Sequence, residues 1–186
     1  MNFCSHCGAP VELYVPQGDS LARHVCPRCA TIHYVNPKLV IGCVAEWQGD
    51  ILLCRRAIEP RCGFWTLPAG FMENGETTRQ AALRETLEEA CARVEIDDLF
   101  CLVNVPYIDQ VHLFYRARLL AADFAAGSES LATALFPEAD IPWHELAFRS
   151  VAFCLRAYLA DRRYGTFAFH ESDLQPPAPT IDRRPD

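Results

Sequence analysis

No stretch of this 186-residue sequence approaches the roughly 18 consecutive apolar residues that cross a bilayer. Neither a membrane-spanning helix nor a membrane partner is expected. The opening segment, MNFCSHCGAP, has no basic stretch followed by an apolar one. That predicts no secretory signal and a cytoplasmic protein. An excess of base is missing too: 24 acidic residues stand against 17 basic ones, for a net charge of −7. This argues against a broad nucleic-acid surface, though not against a local basic pocket. No internal repeat is found. Cytoplasmic thiols stay reduced, so the ten cysteines are not expected to form a disulfide framework. What is present is an apolar fraction of 51%, enough for one core with a small appendage.

Three segments follow from composition. Residues 1–34 are rich in Cys, His and Pro and too short to hold a core alone. Residues 35–165 carry the main domain. Residues 166–186 end in the Pro-rich LQPPAPTIDRRPD and are expected to be a partly disordered tail. In the main domain LVIGCVAEW and GDILLCRRA read as strands joined at Gln48-Gly49-Asp50. Further strands are predicted in FCLVNVPYI, VHLFYRARLL and SLATALF. Helices are predicted from Thr77 to Cys91 and from Trp143 or Phe148 to Arg163. Mixed strands and helices indicate an α/β (α+β) fold.

Cys4-x-x-Cys7 and Cys26-x-x-Cys29, eighteen residues apart, have the spacing of a four-thiolate zinc site. Four thiolates complete a tetrahedral Zn²⁺ and leave no position open for chemistry, so the ion would be structural. Its binding would supply the folding energy this short segment lacks. His6 and His24 lie beside these cysteines as neighbours or substitutes. Cys43, Cys54, Cys62, Cys91, Cys101 and Cys154 are read as small core residues.

The third feature is GFMENGETTRQAALRETLEEACARV, residues 70–94. Thr77 followed by Gln80 is a capping-box signature. Helical spacing puts Glu85 and Glu89 on one face with Glu88 nearby, and predicts Leu83, Leu87 and Ala90 on the opposite, core-facing side. Like charges one turn apart cost a helix roughly 0.2–0.5 kcal/mol per pair. A solvated helix would normally intersperse lysines, and this one has none. The two readings are therefore a solvent-facing amphipathic helix or a site for a hard divalent cation, which favours carboxylates and substrate phosphates.

The same stretch resembles the Nudix box, G-x5-E-x7-R-E-U-x-E-E-x-G-U with U a bulky aliphatic residue. Gly70, Glu76, Arg84, Glu85, Glu88 and Glu89 match it. Thr86, Cys91 and Ala92 depart from it, Cys91 standing where the motif has its helix-ending glycine. With the four-cysteine segment and TIHYVNPK ahead of it, residues 1–165 resemble zinc-ribbon Nudix hydrolases. The signature S-Q-P-W-P-F-P of NADH pyrophosphatases is not found. The resemblance is closer to the branch associated with ADP-ribose and FAD.

That resemblance implies an α/β/α sandwich with a mixed sheet and metal-dependent hydrolysis of a nucleoside diphosphate linked to another moiety, releasing AMP. The implied alternatives are NADH cleavage, RNA decapping or a nucleotide-sensing binding module. It implies Mg²⁺ or Mn²⁺ held by Glu85, Glu89 and the carbonyl of Ala69, with Glu88 alongside. Arg84 would orient a glutamate and Glu76 would hold the loop against the helix. Glu129 is the outside candidate for general base, ahead of Glu138 and Asp140. Arg55, Arg56 and Arg61 are candidate phosphate contacts. Phe71 is a candidate stacking surface, as are Phe64 and Tyr107. The expected partner is a small nucleotide and not nucleic acid, and family members are commonly homodimers.

Overall fold

The computed structural model describes residues 1–177. It divides the chain into two compact units, Met1–Pro37 and a larger one beginning at Lys38. The first holds a three-stranded antiparallel sheet of β1 (Glu12–Tyr14), β2 (Arg23–Val25) and β3 (Ile32–His33), in that order. Its buried side chains are Cys4, Val25, Cys26 and His33. So few cannot stabilise a unit of this size by burial.

The second unit runs through β4 (Lys38–Trp47), β5 (Asp50–Arg56), β6 (Trp65–Thr66), β7 (Ala69–Phe71), α1 (Thr78–Ala90), β8 (Val94–Val105), β9 (Gln110–Leu119), β10 (Ser130–Phe136), α2 (Arg149–Tyr164) and β11 (His170–Asp173). The sheet order is β10-β5-β4-β9-β8-β11, with β6 on β5 and β7 on β4. The β4/β9 and β8/β11 pairs are parallel and the rest antiparallel, so the sheet is mixed. The β4–β5 hairpin turns on Gln48 (φ 51°) and Gly49 (φ 95°). Positive φ at both positions matches the right-handed strand twist.

Strand alternation assigns the two faces. Ile41, Cys43 and Ala45 of β4, with Leu52 and Cys54 of β5, pack with Ala81, Ala82 and Ala90 of α1. Val44, Ile51 and Leu53 point the other way and pack with Val151, Cys154, Leu155 and Tyr158 of α2. The sheet is thus sandwiched between two helices, the fold expected.

Two expectations need correction. Leu83 and Leu87 do not face the core; they are 40% and 48% exposed, while Ala90 is buried. The buried stripe of α1 is Ala81, Ala82, Glu85, Thr86, Glu89 and Ala90. Small side chains let this helix lie close on the sheet, and the leucines are left outside. Of the six cysteines read as core, Cys43, Cys54, Cys101 and Cys154 are buried, but Cys62, in a turn, and Cys91, capping the C-terminus of α1, are exposed. Within the segment after 165, His170–Asp173 adds β11 in parallel to β8. The remainder of the expected tail, residues 178–186, lies outside the described residues.

Candidate metal-binding active site

In the first unit the sulfurs of Cys4, Cys7, Cys26 and Cys29 all lie within 4.8 Å of one another. The Cys4–Cys29 and Cys7–Cys26 separations are 3.7 and 3.5 Å. A tetrahedral ion with Zn–S bonds of about 2.3 Å requires sulfurs about 3.8 Å apart, so the set fits. Two equivalent knuckles build it. The amide of Gly8 donates to the Cys4 carbonyl and that of Ala30 to the Cys26 carbonyl, each at 2.9 Å. The histidine brought to this centre is neither His6 nor His24 by its ring. His33, buried on β3, places Nε2 3.3 Å from Cys4 Sγ. Its position 29 residues from Cys4 gave no spacing signal.

In the second unit α1 begins as its sequence predicts. The Thr77 hydroxyl accepts from the Gln80 amide and the Gln80 side chain accepts from the Thr77 amide. Glu85 and Glu89 are both 7% exposed, facing the sheet rather than water. Burial raises the pKa of Glu85, against the pull of Arg84. Burial likewise pushes Glu89 up to about 7, opposed by the Ala69 amide and Arg56 and reinforced by Glu85 and Glu129. Both sit in the C-terminal half of α1, where the helix dipole disfavours an anion and favours a cation.

Each buried carboxylate has one oxygen held by the protein. Glu85 Oε1 accepts from Arg84 Nη1 at 2.7 Å, and Glu89 Oε2 accepts from the Ala69 amide at 3.0 Å. No hydrogen bond from the described residues reaches Glu85 Oε2 or Glu89 Oε1. Two repelling carboxylates, each with a free oxygen, fit a hard divalent cation. This burial removes the solvent-facing reading of the helix.

Arg84 organises the cluster. Its Nε and Nη2 grip Glu76 at 3.0 and 2.7 Å, Nη1 reaches Glu85 and Glu88 at 2.7 and 3.1 Å, and Nη2 also donates to the Phe71 carbonyl at 3.1 Å. Arg84 and the Glu73 amide hold the Glu76 pKa below the ordinary carboxylate value. Glu76 therefore ties the loop to the helix, while Glu88 stays largely exposed. The departures from the motif are locally accommodated. The Thr86 hydroxyl, buried where an aliphatic residue is usual, donates to the Ala82 carbonyl at 2.7 Å and lies 3.0 Å from Cys43 Sγ. Cys91 adopts φ 49° and still returns its amide to the Leu87 carbonyl.

The remaining candidates separate. Arg56 and Glu129 lie close enough to act on the charge of Glu89. Their chain segments are joined, since the Ala57 amide donates to the Glu129 carbonyl at 2.8 Å and Ser130 pairs with Arg56. All three arginines engage the loop after β5: Arg55 bonds the Gly63 carbonyl, Arg56 Nε donates to the Pro60 carbonyl at 2.9 Å with its guanidinium over Phe148, and Arg61 lies over Phe64. Phe71 is 51% exposed, with the Lys38 ammonium 5.0 Å from its ring centre. Glu138 is engaged by Arg162 and Arg163. His112, which alternates with Gln110 on β9 and is a structural rather than a site residue, is buried between Ser150 Oγ and Gln110 Oε1, each at 2.9 Å.

Comparison with known proteins agrees with this geometry. Residues 2–35 match the Nudix N-terminal zinc-ribbon family and residues 36–150 the NUDIX domain family. A NUDIX hydrolase from Nitrosomonas europaea is 53% identical, with a TM-score of 0.91 over 94% of this chain and 99% of that one. The NAD-capped RNA hydrolase NudC of Chromobacterium violaceum is 35% identical over 95 residues, 50% of this chain and 33% of its own. The ADP-ribose pyrophosphatase of Methanocaldococcus jannaschii is 27% identical over 119 residues, 62% of this chain and 69% of its own. The chain thus spans about a third of the first of these two relatives. With the motif, the buried carboxylate pair and the four-sulfur cluster in place, the chain belongs to the Nudix hydrolase family, as a zinc-ribbon segment followed by a NUDIX domain.

Proposed function

We propose that this chain hydrolyses the pyrophosphate bond of a nucleoside diphosphate linked to another moiety, with ADP-ribose or FAD as substrate and AMP as product. The observation that carries the reading is the buried Glu85–Glu89 pair, each with one oxygen left for a ligand. These two would hold Mg²⁺ or Mn²⁺. A strand residue directs its N–H and C=O to the same side, so the Ala69 carbonyl belongs to the proposed set. A divalent ion there would neutralise the diphosphate and acidify a water.

The chain's own groups do the rest. Arg84 holds one oxygen of the Glu85 carboxylate and opposes the rise that burial imposes on its pKa. Glu129 is the proposed base, an exposed carboxylate whose charge acts on both members of the pair. Arg56 is the proposed phosphate contact, with Arg55 and Arg61 at the rim. Phe71 offers an open ring face for a base or flavin. In the ribbon, Zn²⁺ is proposed as a structural ion. Homodimer assembly and a cytoplasmic location are also proposed. The dimer rests on the family resemblance alone. For the location, no helix among the described residues is long and apolar enough to cross a membrane.

A second reading is cleavage of NADH or of NAD-capped RNA, favoured by the similarity to the NudC of Chromobacterium violaceum. A nucleotide-sensing module is the non-enzymatic alternative, and retention of both Glu85 and Glu89 counts against it.

The test is product analysis with Mg²⁺ and with Mn²⁺ on ADP-ribose, FAD, NADH, NAD-capped RNA and a nucleoside triphosphate, beside Glu89→Gln. AMP from ADP-ribose or FAD, lost in the variant, supports the proposal. Cleavage confined to NADH or capped RNA transfers it to the second reading. Thermal stabilisation by these ligands without any cleavage supports the sensing module.

A further inference from the structure

The segment between β9 and β10 is fastened to the end of α1. The Ala125 amide donates to the Ala90 carbonyl at 2.9 Å and the Gly127 amide to the Glu89 carbonyl at 3.0 Å. These are carbonyls of the last turn, which have no partner within a helix. Gly127 comes closest: a β-carbon there would fall onto the backbone carbonyl of Glu88. Its φ is not in the left-handed region, so the requirement is for space and not for backbone freedom. A backbone obstacle cannot rotate aside as a flexible side chain would. Two residues on, the Glu129 carbonyl is held by the Ala57 amide, and Ser130 begins β10 opposite Arg56. The Ser130 amide returns to the Gly127 carbonyl at 3.1 Å, closing a tight turn around Ser128 and Glu129.

We propose that Gly127 is a positioning residue: its contact with the Glu88–Glu89 backbone sets where Glu129 stands relative to the carboxylate pair. This rests on the reading of that pair as a metal site. One short turn thereby connects three groups, the helix bearing Glu85 and Glu89, the loop bearing Glu129 and the strand bearing Arg56. Lifting the turn by the width of a methyl group would move Glu129 away from the pair while leaving Glu85, Glu89 and Arg84 on their own helix.

The test is Mn²⁺ titration of the full chain by electron paramagnetic resonance, for wild type, Gly127→Ala, Glu129→Gln and the double variant, with kcat and KM measured on any substrate cleaved. Gly127→Ala is expected to weaken Mn²⁺ about tenfold, the size of loss typical when a supporting contact is removed. It should lower kcat about a hundredfold, the effect of an ångström-scale misplacement, with KM little changed. Because Gly127 acts through Glu129, whose negative charge acts on Glu89 and would add to the attraction for a cation there, the double variant should bind Mn²⁺ no more weakly than the weaker single variant. Losses that multiply in the double variant, unchanged Mn²⁺ affinity in Gly127→Ala, or an inert Glu129→Gln would each overturn the proposal. If Gly127→Ala does not fold, one glycine inserted after Ser128 keeps Gly127 in place and displaces Glu129. The same tenfold weakening is expected, and unchanged affinity overturns the proposal. If wild type cleaves none of the substrates, the hydrolase reading fails while the Mn²⁺ titrations still decide the role of Gly127.

Discussion

The α-carbon of Gly70 lies directly against the carboxylate of Glu85, so that a β-carbon at residue 70 would fall onto both carboxylate oxygens and the carbon between them. Glu85 cannot swing away freely, because it is buried and bonded to Arg84. Gly70→Ala should therefore displace the carboxylate more than it disturbs the fold. Hydrolysis should fall about a hundredfold through misplacement of the site, with a loss of stability of only about 1–2 kcal/mol. Parallel thermal melts and rate measurements check this; equal activity of the variant and wild type would remove the proposed role of Glu85.

Arg84 is the next residue to vary. Its planar fork grips Glu76 through two nitrogens and also serves Glu85, Glu88 and the Phe71 carbonyl. A lysine has the charge but not the fork. Arg84→Lys should lose most of the activity, and Arg84→Ala should in addition cost about 2–3 kcal/mol, because it leaves partly buried carboxylates without a counter-charge. Urea denaturation would give the second figure.

Glu89 makes a signed prediction about pH. Burial raises its folded pKa to about 7, above the ordinary 4.5, so folding favours the protonated form. The stability it contributes is complete below about 4.5 and is lost as pH rises through about 7, on the order of 3 kcal/mol at most. Without Mg²⁺ or Mn²⁺, and with zinc retained, Glu89→Gln should melt above wild type at pH 8, with the gap closing toward pH 5. Because the ion needs the carboxylate ionised, wild-type Mn²⁺ affinity should climb between pH 6 and 8.

His112 acts with the opposite sign. Burial lowers its pKa to about 4, so the neutral ring is favoured in the folded chain. Its contribution is complete above about 6.5 and is lost as pH falls toward 4. A variant lacking the titrating ring, His112→Gln, should show a shallower fall in melting temperature across that window.

Cys91 occupies a left-handed position, φ 49°, where a side chain costs roughly 1–2 kcal/mol. Cys91→Gly should relieve that strain, offset in part by added freedom of the unfolded chain, for a net gain of about 0.5–1 kcal/mol. The expected rise in melting temperature is about 1–4 °C, with activity unchanged.

Much of this was readable from residue order. The capping box at Thr77 and Gln80, the hairpin at Gln48-Gly49 and the paired Cys-x-x-Cys segments are local patterns, and each is set by bonds within a few residues. The faces of α1 were misjudged for a physical reason. Helical spacing states which residues share a side, but not which side the sheet will cover. Leucine is the more apolar choice, yet the sheet takes the alanine–threonine side because a helix with small residues can approach it closely. His33 beside Cys4 was not visible, since nothing in its spacing distinguishes it from His6 or His24. β11, just ahead of the Pro-rich ending, was not visible, because pairing with β8 depends on a partner strand about 70 residues earlier in the chain.

The residues of the proposed metal site, and their order along one helix, were determined by the sequence, because helical periodicity is a local property. Their burial, their free oxygens and their relation to Glu129 and Arg56 were decided only by tertiary structure. Gly70 and Ala69 are brought to the helix by β7 pairing with β4. Gly127 reaches it only because the chain returns after β9 to satisfy the helix's last carbonyls. Those contacts join segments 15 to 40 residues apart in the chain, a separation at which periodicity carries no information and packing alone selects the partner.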